Sequence, residues 1–169
     1  PWLHDVGGIA RADVSDRLSI IAGCMIVGFI LVGSLTARLN RLGIETMRIA
    51  VIGSFIFMVV QVSLVYMGPQ YPTLIWAAFG FFGTIGILGY GALSQNFAQE
   101  LAGRVVTGLN LLVFTAAFVV QWGVGLIIDQ WPLAVIGVYA KEAYDVAFMA
   151  LVGVQALTMI WYLFYRQKS

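Results

Sequence analysis

Side chains able to do polar chemistry are rare in this chain, and the most regularly placed of them are Thr107, Asn110 and Gln121. Asn110 and Gln121 are eleven positions apart, so at about 100° per residue they stand roughly 20° apart around a helix. Phe114, Ala117 and Gly125 fill the same stripe and Thr107 flanks it, while Leu111, Val113, Val119 and Val120 lie elsewhere. Amides and hydroxyls can hold a solute by hydrogen bonds without placing a charge beside it. The stripe therefore has two readings. It is a substrate-cavity wall, or it is glue between helices worth about 1 kcal/mol per contact. An unpaired amide is costly in an apolar medium, so either reading turns this face into a helix bundle or toward a wet cavity.

A second feature is the glycine-dense run FGFFGTIGILGYG, in which Gly80, Gly83, Thr84 and Gly91 fall within an arc of about 100°. Small residues let two backbones approach and slide past each other, which makes tight packing the plainer reading. The sharper one is a helix that bends at these glycines, since the run contains no proline. Ser54 with Gln61, and Gln155 with Thr158, also share faces, and both pairs read as structural glue. The lone Cys24 reads as a small buried hydrophobe, and His4 and Asp129 have no partner that sequence names. No nucleophile, base or metal-ligand cluster points to an enzyme, and no cofactor or metal is expected.

These residues must be positioned by membrane helices. Of the 169 residues, 61% are hydrophobic and only 10% charged, and the mean hydropathy is +0.94. A soluble domain carries about 25% charged residues. A net charge of +1 leaves no basic excess to suit nucleic acid, so the lipid bilayer is the expected partner. Five apolar blocks are long enough to cross a bilayer: residues 18–36, 49–67, 73–93, 105–128 and 146–165. None contains Asp, Glu, Lys, Arg or His, and all four prolines lie outside them. The expectation is an all-α, polytopic helical membrane protein of about five transmembrane helices forming a single region over 1–169. The widest loop, from Asp129 to Asp145, is expected to lie along the membrane surface, with a helical turn opening the last span.

Charges between the blocks give a direction. Arg38, Arg41, Arg48, Arg104, Arg166 and Lys168 face Glu45 and Glu100 on one side, while Arg11, Arg17 and Lys141 face six acidic residues on the other. The side richer in Lys and Arg is expected to be cytoplasmic, which puts the N-terminal end outside and the C-terminus inside. An odd number of spans with an external start suggests that the chain is a piece of something longer. PWLHDVGG then reads as the end of a preceding helix.

The segment between the first two spans, GSLTARLNRLGI, resembles the signature loop of the major facilitator superfamily, roughly G-x-L-[AS]-D-R-x-G-R. Gly33, Leu35, Arg38 and Arg41 match, whereas Ala37 stands in place of the Asp and Asn40 in place of the second Gly. The segment Gly103 to Trp131 is similar to the eleventh helix of bacterial members, entered through a Gly-Arg pair. The resemblance implies part of the carboxy-terminal half of a twelve-helix secondary transporter, with the five spans as helices eight to twelve. It also implies a bacterial inner-membrane location, a missing amino-terminal portion as partner, and an unknown small-molecule substrate. Arg38 and Arg41 would latch the cytoplasmic side or serve as ordinary positive anchors. The rival expectation is a non-transporting membrane subunit or scaffold. No ionisable residue lies inside a block, so a proton-coupling group would have to sit at a span end or elsewhere.

Overall fold

The computed structural model describes residues 1–94 and 97–166, and Lys168, counted in the charge balance, lies outside them. Among the described residues the regular structure is all helical apart from one small hairpin. Its elements are α1 (Trp2–Asp5), a 3₁₀ turn (Arg11–Asp13), α2 (Val14–Arg41), α3 (Thr46–Met67), α4 (Pro72–Gly83), a second 3₁₀ turn (Thr84–Ile87), α5 (Leu88–Ser94), α6 (Gln99–Ile128), β1 (Leu133–Val135), β2 (Val138–Tyr139) and α7 (Lys141–Arg166). Five helical stretches are long and apolar enough to cross a membrane: Arg11–Arg41, Thr46–Met67, Pro72–Leu93, Gln99–Ile128 and Lys141–Tyr165. The architecture fits an integral membrane protein.

Each helix contains its apolar block and outruns it at one end or both. Hydropathy marks the part that hydrocarbon can accept, but a helix keeps its backbone hydrogen bonds beyond that boundary. Long charged side chains on the overhanging turns can reach the polar interface. Arg38 and Arg41 are thus not loop residues but lie on the last turn of α2, and Lys141, Glu142 and Asp145 lie on the first turns of α7. Placement by charge is consistent with the helix dipole, since Asp16, Glu100 and Glu142 stand in first turns.

The connections have local causes. After Arg41 the chain reverses through a Schellman-type cap, in which Ile44 N–H donates to the Leu39 carbonyl and Gly43 N–H to that of Asn40. Gly43 is left-handed there, at φ +83°, a conformation a side chain would strain. Asn40 then closes the turn by donating from Nδ2 to Thr46 Oγ1 at 3.1 Å. Pro72 stands at the start of α4, where its missing N–H costs nothing. Between α6 and α7 the expected surface loop contains the β1–β2 hairpin, turned at Ile136–Gly137 with Gly137 at φ +78°. Runs of β-branched residues around that glycine favour pairing over an irregular loop. The helical turn expected to open the last span is present from Lys141.

Neighbours in space are not neighbours in sequence. α4 packs between α2 and α3, which meet each other only lightly; α3 also packs on α7, and α6 touches α7 and α5. The most enclosed cluster is at the end of the bundle that carries α1 and the hairpin, where Trp2, Leu3, Ile21, Leu64 and Tyr144 meet. Trp2 and Trp76 stack edge-on there at 5.7 Å. Farther along, Gln61 and Gln155 exchange two hydrogen bonds across α3 and α7, Nε2 to Oε1 at 3.0 Å and 2.9 Å. Gln61 is only 2% exposed, so nothing else could easily satisfy its amide.

Gln61→Leu should therefore lower stability by about 1–3 kcal/mol, because it also orphans Gln155. The double variant Gln61→Leu/Gln155→Leu should recover part of that loss. Unfolding of the four proteins of this cycle in mixed micelles measures the coupling, and strictly additive losses would show that the two amides act independently.

Candidate functional site

Three places in the molecule gather polar or small residues with a clear geometry. The largest is a cleft of about 1010 Å³ between α2, the α4–α5 span and α6. Its walls are mostly apolar, with Phe29, Phe57, Trp76 and Phe79 supplying rings and Tyr90 and Asn110 supplying polar atoms. Tyr90 donates its hydroxyl to Asn110 Oδ1 at 2.7 Å, which joins α5 to α6. Asn110 lies eleven residues into α6, or about 16 Å along its axis. Its Nδ2 makes no hydrogen bond to a described residue, so two donors remain to be used.

The span that forms one wall is not a continuous α-helix. Thr84 donates its hydroxyl to the Phe81 carbonyl at 2.6 Å, and residues 84–87 tighten into a 3₁₀ turn. A hydroxyl bonded back into the preceding turn competes with the ladder and bends helices, and the Gly86 that follows offers little resistance. The 3₁₀ turn begins four residues beyond Gly80 and next to Gly83. Gly80 itself is a contact residue, since a Cβ there would meet Ile21 Cγ2 at 3.0 Å. Gly83 lines the cleft with Phe57 in ordinary contact, and at Gly91 a Cβ would meet nothing within 4 Å. A closer approach is on α2, where a Cβ on Gly28 would lie 2.7 Å from the Phe81 carbonyl oxygen.

The three polar residues of the α6 stripe have different places. Asn110 lines the cleft. Thr107 bonds back to its own helix, Oγ1 to the Gly103 carbonyl at 2.9 Å. Gln121 is exposed, far along α6 from the cleft, and makes no side-chain hydrogen bond to a described residue. No residue of α6 is buried against the described residues, because α6 leans on its neighbours along only part of its length. Tyr90 and Thr84 carry the cleft's chemistry and were not singled out as cavity residues by sequence. A tyrosine inside a glycine-rich span was the available signal.

A second polar cluster joins the chain's two ends. Asp5 accepts from Tyr144 Oη at 2.7 Å and from Tyr139 N–H at 3.4 Å on one oxygen, and contacts His4 Nδ1 at 2.8 Å with the other. Tyr139 in turn donates to Asp129 at 3.3 Å, and Lys141 pairs with Asp145. Both His4 and Asp129 thus have partners. Burial opposes the charge on Asp5, but the hydrogen bonds from His4, Tyr144 and the Tyr139 backbone outweigh it and hold the carboxyl below 3.8.

At the opposite end, Gly33, Arg38 and Arg41 are exposed. Arg38 borders an apolar pocket of about 540 Å³ between α2, α3 and α4. Among the described residues neither arginine forms an ion pair, and the contacts they have are those of a helix C-terminus. Among the described residues no group of three or more His, Cys, Asp or Glu could hold a metal ion. Compared with known proteins, the chain matches no family model, no curated protein and no solved structure.

Two predictions test this geometry. Gly28→Ala should destabilise by about 1–3 kcal/mol, as a rigid backbone carbonyl blocks the methyl group. Gly23→Ala, on α2 where a Cβ would meet no described atom within 4 Å, should be neutral or stabilising by up to about 1 kcal/mol, since helix entropy is the main change. Thermal unfolding in detergent compares them, and equal effects would remove the distinction between packed and open glycines. For Asp5 the lowered folded value means its bonds stabilise above 3.8 and lose that effect as pH falls through the folded pKa. The stability gap between the native chain and Asp5→Asn should be constant above about pH 5 and shrink in more acid solution. A gap that widens on acidification would show that Asp5 is not held ionised.

Proposed function

We propose that the chain is part of a secondary transporter of the major facilitator type and helps move a small solute across a membrane by alternating access. The observation that carries this reading is the cleft, where Asn110 presents unused donors beside a span broken by a 3₁₀ turn. An amide within a membrane span, in a roomy and otherwise apolar cleft, suits recognition of a solute, and a break in the adjoining helix suits a wall that moves. The Gly33/Leu35/Arg38/Arg41 spacing supports the superfamily, and the missing amino-terminal portion would supply the facing wall. The bias of Lys and Arg supports an external N-terminal end and a cytoplasmic C-terminus, and the resemblance to the superfamily supports a bacterial inner membrane.

A second reading, a polytopic subunit or scaffold that moves nothing, has one observation in its favour. Much of α6 is left uncovered by the described residues, with Phe114, Phe118 and Trp122 exposed, which leaves a surface for another protein. Uptake by the full-length protein in proteoliposomes separates the two. Asn110→Leu and Tyr90→Phe should each cut solute flux by about tenfold, the effect of one hydrogen bond of about 1.4 kcal/mol. Unchanged flux in both variants across a solute panel would remove the cleft from the pathway. Absence of flux in the native protein would favour the scaffold.

A further inference from the structure

We infer that the cleft between α2, α4–α5 and α6 takes an uncharged, ring-bearing, largely apolar ligand that presents one oxygen acceptor to Asn110. The inference names the substrate class of the site proposed above, and it rests on that reading for what happens to the ligand after it binds.

Charge is the first discriminator. No Asp, Glu, Lys, Arg or His stands among the described residues that line the cleft. On this wall an ion would shed water without meeting a counter-charge, which disfavours a charged ligand. Hydroxyl-rich solutes fail for a related reason. Thr84 has committed its hydrogen to the Phe81 carbonyl, and Tyr90 has committed its hydrogen to Asn110. The Asn110 Nδ2 hydrogens and the enclosed, unpartnered Trp76 Nε1–H are the side-chain donors left on the lining, so the many hydroxyl oxygens of a sugar would find few donors.

What the cleft offers in positive terms is equally narrow. The Asn110 amide nitrogen carries hydrogens that no described residue uses, and one of them suits a carbonyl-type oxygen of a ligand. Phe29 and Phe57 stand near Thr84, where Gly28 and Gly83 bring α2 and α3 against the span. Tyr90 is six residues further on, about 10 Å along a mixed α and 3₁₀ path. A ligand of that length can seat a flat group against these rings while its oxygen reaches the amide. A volume of about 1010 Å³ leaves room for it.

Benzophenone is a suitable probe: uncharged, two rings, one carbonyl, and able to cross-link to nearby C–H groups under near-ultraviolet light. The protein in phosphatidylcholine nanodiscs should give adducts concentrated on cleft residues such as Met25, Val106 and Val113. Asn110→Leu should reduce them about five- to tenfold. Val113→Trp, which narrows the cleft and leaves the amide itself in place, should reduce them as well. Excess tetraphenylphosphonium or glucose should leave labelling unchanged. Doping the discs with dioleoylglycerol separates two sources of the same chemistry: loss of labelling assigns the cleft to an uncharged lipid ester, and persistence assigns it to a solute. Adducts spread over Phe118 and Trp122 in proportion to lipid exposure would overturn the inference, as would displacement by the cation. Cleft labelling without flux would keep the ligand class and end the transport reading, while flux of a charged solute with no cleft labelling would do the reverse.

Discussion

A side-chain amide inside hydrocarbon has no water to fall back on, and the arrangement of this bundle follows how that demand is met. Gln61 and Gln155 meet it for each other, with both donor–acceptor pairs closed across α3 and α7. The bridge fixes α7 against α3, and α6 in turn touches only α7 and α5 among the spans it packs against substantially. The position of Asn110 relative to the rest of the cleft thus depends on a contact made on a different helix pair. Each bond of this kind is worth only about 1 kcal/mol, because a separated helix in lipid can find other partners. Its larger effect is selective: helix registers that separate the two amides leave both unpaired.

The remaining contacts are set by size. Lipid removes most of the hydrophobic drive for helix association, so close packing has to come from residues that permit it. Gly28 admits the Phe81 carbonyl, Gly80 admits Ile21, and a methyl group at Gly53 would overlap Ile85. These approaches wedge α4 between α2 and α3 directly beside the Thr84 turn. The tight wall and the bent wall of the cleft are consequently one stretch of chain, with Thr84 buried where the two meet. A change of bend there would shift Tyr90 against Asn110 while the Gly28 and Gly80 contacts held the other end.

Much of this was legible before any coordinates. Hydropathy located five spans because each apolar block is long and free of charge, and it underestimated every helix because helices continue where hydropathy ends. The stripe periodicity placed Asn110 on a wall, and the face analysis marked Gln61 and Gln155 as glue. What sequence could not supply was the partner in each case. Asp5 and Tyr144 are 139 positions apart, and Gln61 and Gln155 are 94 apart; no local pattern links them. The hairpin was missed for a different reason. LAVIGVYA is as apolar as a span, and its β-branched residues around Gly137 carried less weight than its position in a loop.

The turn between α2 and α3 ties these points together. The loop that Gly33, Leu35, Arg38 and Arg41 resemble carries a carboxylate where this chain has Ala37. A carboxylate at position 37 would stand four residues before Arg41, the spacing at which side chains on one helix meet. Without it, Arg38 and Arg41 have a helix C-terminus and the interface for company, and the α2–α3 turn is held instead by Gly43 and the Asn40–Thr46 bond. Neutral hydrogen bonds and backbone geometry have taken over work that charge could do. The same preference recurs in the glutamine bridge and in the Tyr90–Asn110 pair. A bundle that spends no charge at membrane depth on its own structure leaves none there to attract an ion, which is why neutrality of the occupant follows from the same chemistry that holds the helices.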